Sequence, residues 1–327
     1  PTRVGHMVKQ AKHMLPVKHT SPVLISNGAE EITRFHLSSA FVINADEDGK
    51  VVEYNEEYGI MIVEYKSGKH RAINLKSTIE KNGGGGFFLA NQLVTKLKEG
   101  DTFKKNDMIA WHKDFFTSNK YNGNRMNMGT LAKIAITSTY NTYQDSTLIT
   151  QKLSEEMATE MVFCKQVVIG KNANIDFLIS EGAKVDVGDS LVQFDTSFED
   201  NELNKLLNSL SEDLKEGVLE GSRNDIKSKH AGIIEKIKIY STVETGDLSP
   251  SLQKVVKGYY KKVSGIKDML KKYDPDGSPV YRCGMLLDDA DHKVEANRFG
   301  VIRGQNVEDS ILIEIYIKHE EYLEVAS

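Results

Sequence analysis

Residues Tyr143-Gln144-Asp145-Ser146 set a carboxylate beside a side-chain amide at a turn inside the stretch from Gly129 to Met161. Ahead of the turn, Leu131-Ala132-Lys133-Ile134-Ala135-Ile136 is apolar, rich in β-branched residues and of strand length. Behind it come Leu148-Ile149-Thr150 and a polar, helix-forming segment. The pattern predicts a strand that ends by delivering Asp145. A helix follows, opened by the capping hydroxyl of Ser154 and carrying Glu155, Glu156 and Glu160. An ordinary strand, turn and helix with a solvated aspartate has the same spacing. The second candidate is the basic start of the chain. Residues 1–20 hold Arg3, Lys9, Lys12, Lys18, His6, His13 and His19 and no Asp or Glu, which suits a phosphate-facing edge or an exposed basic terminus. The three histidines are not a zinc set, because their spacing puts them on no common helical face and no Cys accompanies them.

Other chemistries find no residues to carry them. Asn82-Gly83-Gly84-Gly85-Gly86 has no Gly-Lys-Ser/Thr after it, and Phe87-Phe88 leads into apolar sequence rather than a helix N-terminus, so it is no phosphate loop. The chain has no Gly-x-Ser-x-Gly elbow and no Cys/His pair at a recognisable spacing, which argues against a stand-alone hydrolase. A net charge of −5, from 42 basic and 47 acidic residues, makes any nucleic-acid contact local rather than global. At 327 residues, 39% hydrophobic and 27% charged, the chain is long enough for two or three domains with sizeable cores. No run approaches 18 consecutive apolar residues, no signal-peptide core is visible at the start, and Cys164 and Cys283 stand alone; these features predict a reducing cytoplasm.

The elements that must position these residues read mostly as β. From about Phe41 to Leu75 the pattern alternates, punctuated by Asp46-Glu47-Asp48-Gly49 and Ser67-Gly68, as in antiparallel hairpins. Two similar units follow, Lys98 to Ile109 and Glu181 to Val192, in which Gly-Asp and Asn-Asp supply turns with positive backbone angles around apolar residues of a compact sandwich. Such units also occur in lipoyl- and biotin-carrying domains, so a carrier or sandwich-type binding module is the alternative reading. No Met-Lys-Met is present, and Gly68-Lys69-His70 is a poor substitute. Leu203, Leu206, Leu207 and Leu210 have helical spacing. Residues 231–240 alternate as a strand, with Ile234, Lys236 and Lys238 on one face and Ile233, Glu235, Ile237 and Ile239 on the other. Leu252, Val255, Val256, Tyr259, Val263, Ile266, Met269, Leu270 and Tyr273 form an amphipathic helical stripe with Lys254, Lys257, Lys261, Lys267 and Lys271 off it. Gly258 and Ser264-Gly265 weaken its middle and Pro275 ends it, giving a helical hairpin or one long arm. Ile311 to Lys318 is again β-rich.

Several of these segments, in chain order, resemble the multisubunit RNA polymerase β subunit. Met7-Val8-Lys9-Gln10-Ala11 is similar to that family's Met-x-Arg/Lys-Gln-Ala, and Ser21 to Glu30 to its Pro-Leu-Val-Gly-Thr-Gly-Met-Glu. Met128-Gly129, Leu131 to Ile136, Tyr140-Asn141, Tyr143-Gln144-Asp145-Ser146 and Leu148-Ile149-Thr150 follow its strand and Tyr-Asn-aromatic-Glu-Asp segment, with Gln144 where the family has Glu. Gly232-Ile233-Ile234 resembles the strand ahead of the family's flap, and Ile311 to Lys318 the strand ahead of its lysine-bearing motif, whose two RNA-contacting lysines have no counterpart before Ser327.

The resemblance implies the C-terminal part of a split, bacteriophage-type β subunit. The fold expected is α+β: a β-rich, multi-domain fragment with sandwich- or barrel-type sheets and a helical, flap-like arm. Its segments would be 1–40 flanking the active centre, 41–124 as β hairpins, 125–165 as the active-centre strand, turn and helix, 166–240 as a sandwich-like domain with a helical insert, 241–310 as the flap-like arm and 311–327 as a return strand. The implied reaction is nucleotidyl transfer to an RNA 3′ hydroxyl, with the main Mg²⁺ ligands on a β′-type partner. Asp145 would lie near the second Mg²⁺, directly or through water, beside Gln144; Lys9 and Gln10 would approach the transcript, and Arg3 the NTP phosphates. Implied partners are β′-type subunits, an N-terminal β fragment, a sigma-like promoter-specificity factor, DNA template, RNA transcript and NTPs, with no membrane. The implied location is the cytoplasm, that of the host if the protein is viral.

Overall fold

The computed structural model describes residues 17–22, 24–25, 28–81, 88–119, 123–127, 129–137, 147–196, 223–273, 301–302, 305–306 and 309–322. These fall into two units: the first reaches to Val162 and takes in 320–322, and the second lies between Phe163 and His319. The fold class is as expected, β-rich α+β with several antiparallel sheets and few helices.

Among the described residues the elements of the first unit start with a short helix, α1 (Ala29–Thr33), and continue through β1 (Val42–Asn44), β2 (Gly49–Asn55), β3 (Ile60–Tyr65) and β4 (His70–Asn74), the hairpins read from the alternating sequence. Next come β5 (Thr78–Lys81), β6 (Phe88–Asn91), β7 (Leu93–Val94), β8 (Thr102–Phe103), β9 (Met108–His112), β10 (Phe116–Asn119) and β11 (Gly123–Met126). The hairpin sheet has the order β4-β3-β2-β8, and β9 lies between β1 and β7. Ile43, Val51, Met61, Val63, Phe103 and Ile109 fill the core. Helix α2 (Gln151–Glu156) and the first residues of β12 (Thr159–Gly170) complete the unit, with β12 paired to β6 at Val162 and Phe88.

In the second unit β12 is followed by β13 (Asn174–Leu178), β14 (Lys184–Val185), β15 (Ser190–Asp195), β16 (Arg223–Lys227), β17 (Gly232–Ser241), α3 (Pro250–Tyr273), a small pair β18 (Val301–Ile302) and β19 (Gln305–Asn306), and β20 (Ser310–Glu321). One sheet runs β14-β17-β20-β12 and another β13-β15-β16. The apolar run from Ile311 needs a buried place and has one: Ile311, Ile313, Ile315 and Ile317 enter the core. On the opposite face of β20, Glu314 is buried with both carboxylate oxygens satisfied, by the Gln166 amide at 2.9 Å and the Tyr316 hydroxyl at 2.8 Å. Tyr316 is held protonated far above the usual phenol range by burial and then by Glu314.

The two similar sequence units fold alike. Gly100 and Gly182 have φ of +88° and +83°, and Asn106 and Gly188 have φ of +69° and +98°, the left-handed region that Gly and Asn tolerate. In each unit an aspartate side chain closes the second turn, Asp107 accepting from Lys104 N at 2.8 Å and Asp189 from Asp186 N at 2.7 Å. The likeness extends well beyond those turns. Gly49 of β2 pairs with Phe103 and Gly232 of β17 with Val185. Gly100 N donates to Val51 O and Gly182 N to Ile234 O, while Val51 N donates to Asp101 O and Ile234 N to Ala183 O. Beyond Val51, and again beyond Ile234, the register slips by one residue against β3 and β20 respectively. The same parts occur in a different order, since the turn unit follows the strand pair in the first unit and precedes it in the second.

Three local expectations are corrected, and one pair of alternatives is decided. Leu131 to Ile136 forms no strand; it is exposed, Ile134 at 86% and Ile136 at 100%, and no strand among the described residues pairs with it. The following helix is capped by Thr150, whose hydroxyl accepts from Leu153 N at 3.2 Å, with Ser154 inside it and Glu160 on β12. Strict alternation misplaces β17, because the slip after Ile234 brings Ile234, Ile237 and Ile239 onto one face, all in the core. Helix α3 is continuous through Gly258 and Ser264-Gly265. Its first half is docked: Leu252, Val256 and Tyr260 enter the second unit's core, and burial pushes the Tyr260 phenol up to about 12. Packing of that stripe outweighs the glycine propensity cost of about 1 kcal/mol per site. The helical spacing at Leu203 to Leu210, the glycine run 82–86 and Cys283 lie outside the described residues.

Candidate functional site

The five residues with assigned roles, Arg3, Lys9, Gln10, Gln144 and Asp145, all lie outside the described residues. What the structure describes is how the chain on either side of them is held. Ser21 N donates to Gly129 O at 2.9 Å, Lys18 N to Ala158 O at 2.8 Å, and the Thr130 hydroxyl to His19 O at 2.8 Å. The segment that leaves the basic start of the chain is thus tied to both shoulders of the stretch carrying Asp145. Asn127 reinforces the joint from a buried position, donating to the Thr117 hydroxyl at 2.9 Å and the Thr20 hydroxyl at 3.5 Å, while Thr20 donates to Asp114 O at 2.6 Å.

A charged cluster sits at this joint in the first unit. Lys18 Nζ lies 3.0 Å from Glu320 and 3.5 Å from Glu160, and Lys113 Nζ lies 4.0 Å from the other oxygen of Glu160. The hydrogen bond to Glu320 holds the Lys18 ammonium above the usual lysine range; burial opposes it, and Glu160 adds to it. His112, at the end of β9, is buried between Phe41 and Phe115, its ring 4.6 Å from that of Phe115. Burial, helped by Lys113, pushes its pKa down to about 4, so the ring is neutral at pH 7. Its Nδ1 accepts from Asp114 N at 3.2 Å, which leaves the ring proton on Nε2. The 4.0 Å approach of the Asp114 carboxylate to that same nitrogen is therefore not an ion pair. Burial raises the Asp114 carboxyl above the usual range; Lys113 opposes the rise and Glu160 adds to it.

Chemically this arrangement holds charge and backbone in place. Glu160 is shared between two ammonium groups, and His112 packs rather than titrates near neutrality. Among the described residues no three His, Cys, Asp or Glu side chains form a group able to hold a metal ion. His112 and Asp114 were not singled out from sequence. Their signal is the run His112-Lys113-Asp114-Phe115, three ionisable residues directly behind a buried strand, whose meaning depends on Phe41, Thr20 and Glu160 being near. The sequence matches no protein-family model and no curated protein. Among the described residues no helix is long and apolar enough to cross a membrane.

Proposed function

We propose that this chain is a subunit of a DNA-directed RNA polymerase, the C-terminal part of a split, bacteriophage-type β subunit that works in the cytoplasm. In this reading it acts with β′-type subunits, an N-terminal β fragment and a sigma-like factor on DNA template, RNA and NTPs. The observation that carries it is the joint between segments resembling the β subunit. Stretches 111 residues apart in sequence, one following Lys9 and Gln10 and the other preceding Gln144 and Asp145, are hydrogen-bonded to one another at His19 with Thr130 and at Ser21 with Gly129. Residues for the transcript and residues for the incoming nucleotide would need such proximity, since nucleotidyl transfer joins the two. The Lys18, Glu160 and Glu320 network then positions backbone and makes no contact with substrate itself.

In this reading Mg²⁺, held mainly by the β′-type partner, would supply orientation of the triphosphate and neutralisation of charge in the transition state. Asp145 contributes one carboxylate near the second ion. Gln144, in place of a second carboxylate, keeps the shape and one acceptor oxygen while removing a charge, so the site leans on Asp145. Asp145→Ala in the assembled enzyme should slow single-nucleotide extension by at least about tenfold, roughly 1.4 kcal/mol in the barrier, with a displaced Mg²⁺ titration. An unchanged rate and Mg²⁺ curve would return the turn to a structural role. Purification from the native source without polymerase-type partners would overturn the subunit assignment itself.

A further inference from the structure

We infer that the solvent face of α3 is a binding site for a nucleic-acid phosphodiester backbone. This goes beyond the polymerase proposal, because it concerns binding by the second unit and needs no catalysis. Helix α3 carries Lys254, Lys257, Lys261, Lys262, Lys267, Lys271 and Lys272 against one acid, Asp268, in a chain whose net charge is −5. Lys254, Lys257 and Lys261 share one exposed face at spacings of three and four residues, and Lys271 and Lys272 extend the exposed lysines past Asp268. At a rise of about 1.5 Å per residue, Lys254 to Lys271 spans about 25 Å, with the first three lysines roughly 4.5 and 6 Å apart along the axis. That spacing is comparable to one phosphate per lysine along an extended strand.

Helix stability does not account for the row. Lys271 and Lys272 complement the C-terminal end of the macrodipole, but that effect is confined to the last turn and leaves Lys254, Lys257 and Lys261 without it. Lys254 with Lys257, and Lys257 with Lys261, are like-charge neighbours, an arrangement that weakens a helix. Lys262 is neutralised by Glu181. Among the described residues Lys254, Lys261 and Lys271 have no carboxylate partner, and Lys257 donates only to Gln253. The presenting surface is rigid. Ser249 caps the helix ahead of Pro250, Gln253 N donating to Ser249 O at 2.8 Å, and its hydroxyl donates to Ala173 O at 2.6 Å. Ser251 accepts from Ile175 N at 3.0 Å, and the apolar face enters the core. A pre-ordered row in which Lys254, Lys257, Lys261 and Lys271 have no carboxylate partner among the described residues matches a polyanion of regular charge spacing, which releases counterions when it binds.

The test uses the full chain with a labelled 20-nucleotide RNA, the same sequence as single-stranded DNA, and a DNA duplex, each titrated by fluorescence anisotropy over a series of KCl concentrations. The fourfold variant Lys254→Gln, Lys257→Gln, Lys261→Gln and Lys271→Gln should bind about tenfold more weakly or worse at low salt, with a log-log salt slope shallower by roughly 2–4. The matching Lys→Arg variant keeps the charge and should bind like the parent. Circular dichroism should be the same for all three proteins, since the changed residues are exposed. Unchanged affinity and slope in the Gln variant on every probe would overturn the inference. So would binding of the parent to phosphatidylserine vesicles but to none of the three nucleic acids.

Discussion

The two copies of the turn-and-strand arrangement, around Val51 and Phe103 in the first unit and Ile234 and Val185 in the second, agree in hydrogen bonds, bulge position and buried residues, yet differ at their edges. At the end of β9 the first has His112, where β15 of the second has Phe194, and both are buried. Behind Phe194 lies an apolar core; around His112 the chain has assembled Lys18, Lys113, Asp114, Glu160 and Glu320. The difference teaches that the scaffold specifies turns and core positions, while chemistry is placed where each strand leaves it. A fold-level likeness between the copies therefore says nothing about a shared role.

The largest effect should come from the glycines that let the strands close. A Cβ on Gly49 would strike the Glu64 carbonyl, and one on Gly232 the Lys318 carbonyl, the equivalent residue of the partner strand. Gly49→Ala and Gly232→Ala should each cost about 2–4 kcal/mol, because backbone has to move in both cases. Urea unfolding followed by circular dichroism measures the loss. If one site accepts alanine with no shift in midpoint, the structural equivalence of the copies fails there.

A smaller effect separates the copies by pH. His112 is held below its unfolded pKa of 6.5, at about 4, so the unfolded chain binds more protons between those values. Stability of the first unit should therefore fall as pH drops from about 6.5 toward 4, by roughly 2–3 kcal/mol for a fully buried ring. Asp114 works in the opposite sense, since its raised carboxyl favours the folded state as pH falls toward the ordinary aspartate range, and it offsets part of the slope. His112→Phe gives the first copy the residue of the second and should flatten the dependence. Trp111, the single tryptophan and the neighbour of His112, reports it by fluorescence. An unaltered pH slope in His112→Phe would place the titration elsewhere.

The smallest expected effect is that of Lys18→Ala. Its side chain is 29% exposed and those of Glu160 and Glu320 are 16% and 36% exposed, so the loss should stay within about 1 kcal/mol and shrink in high salt. Because the Lys18 ammonium is held above 10.5, its contribution is fully present below that pH and disappears as pH rises through the folded value. A loss that persists at pH 7 in molar salt would mean that the Lys18 side chain acts through packing of its alkyl stem rather than through charge.

Local sequence by itself determined a good deal of this protein. Gly100, Asn106, Gly182 and Gly188 announced their turns because few residues tolerate those backbone angles, and alternation marked the hairpins because a half-buried strand has period two. The run from Ile311 announced a strand too apolar to lie at an edge, and β20 lies between β17 and β12. Leu131 to Ile136 carried the same apolar signal and formed no strand, since a strand needs a partner and propensity does not supply one. Only tertiary structure decided the facing of β17, which turns on one bulge set by pairing with β20. It also decided that the glycines of α3 leave the helix unbroken, and that Lys18, His112, Asp114, Glu160 and Glu320 meet. Those five are dispersed along the chain, and their protonation depends on burial and on distances that no local pattern encodes.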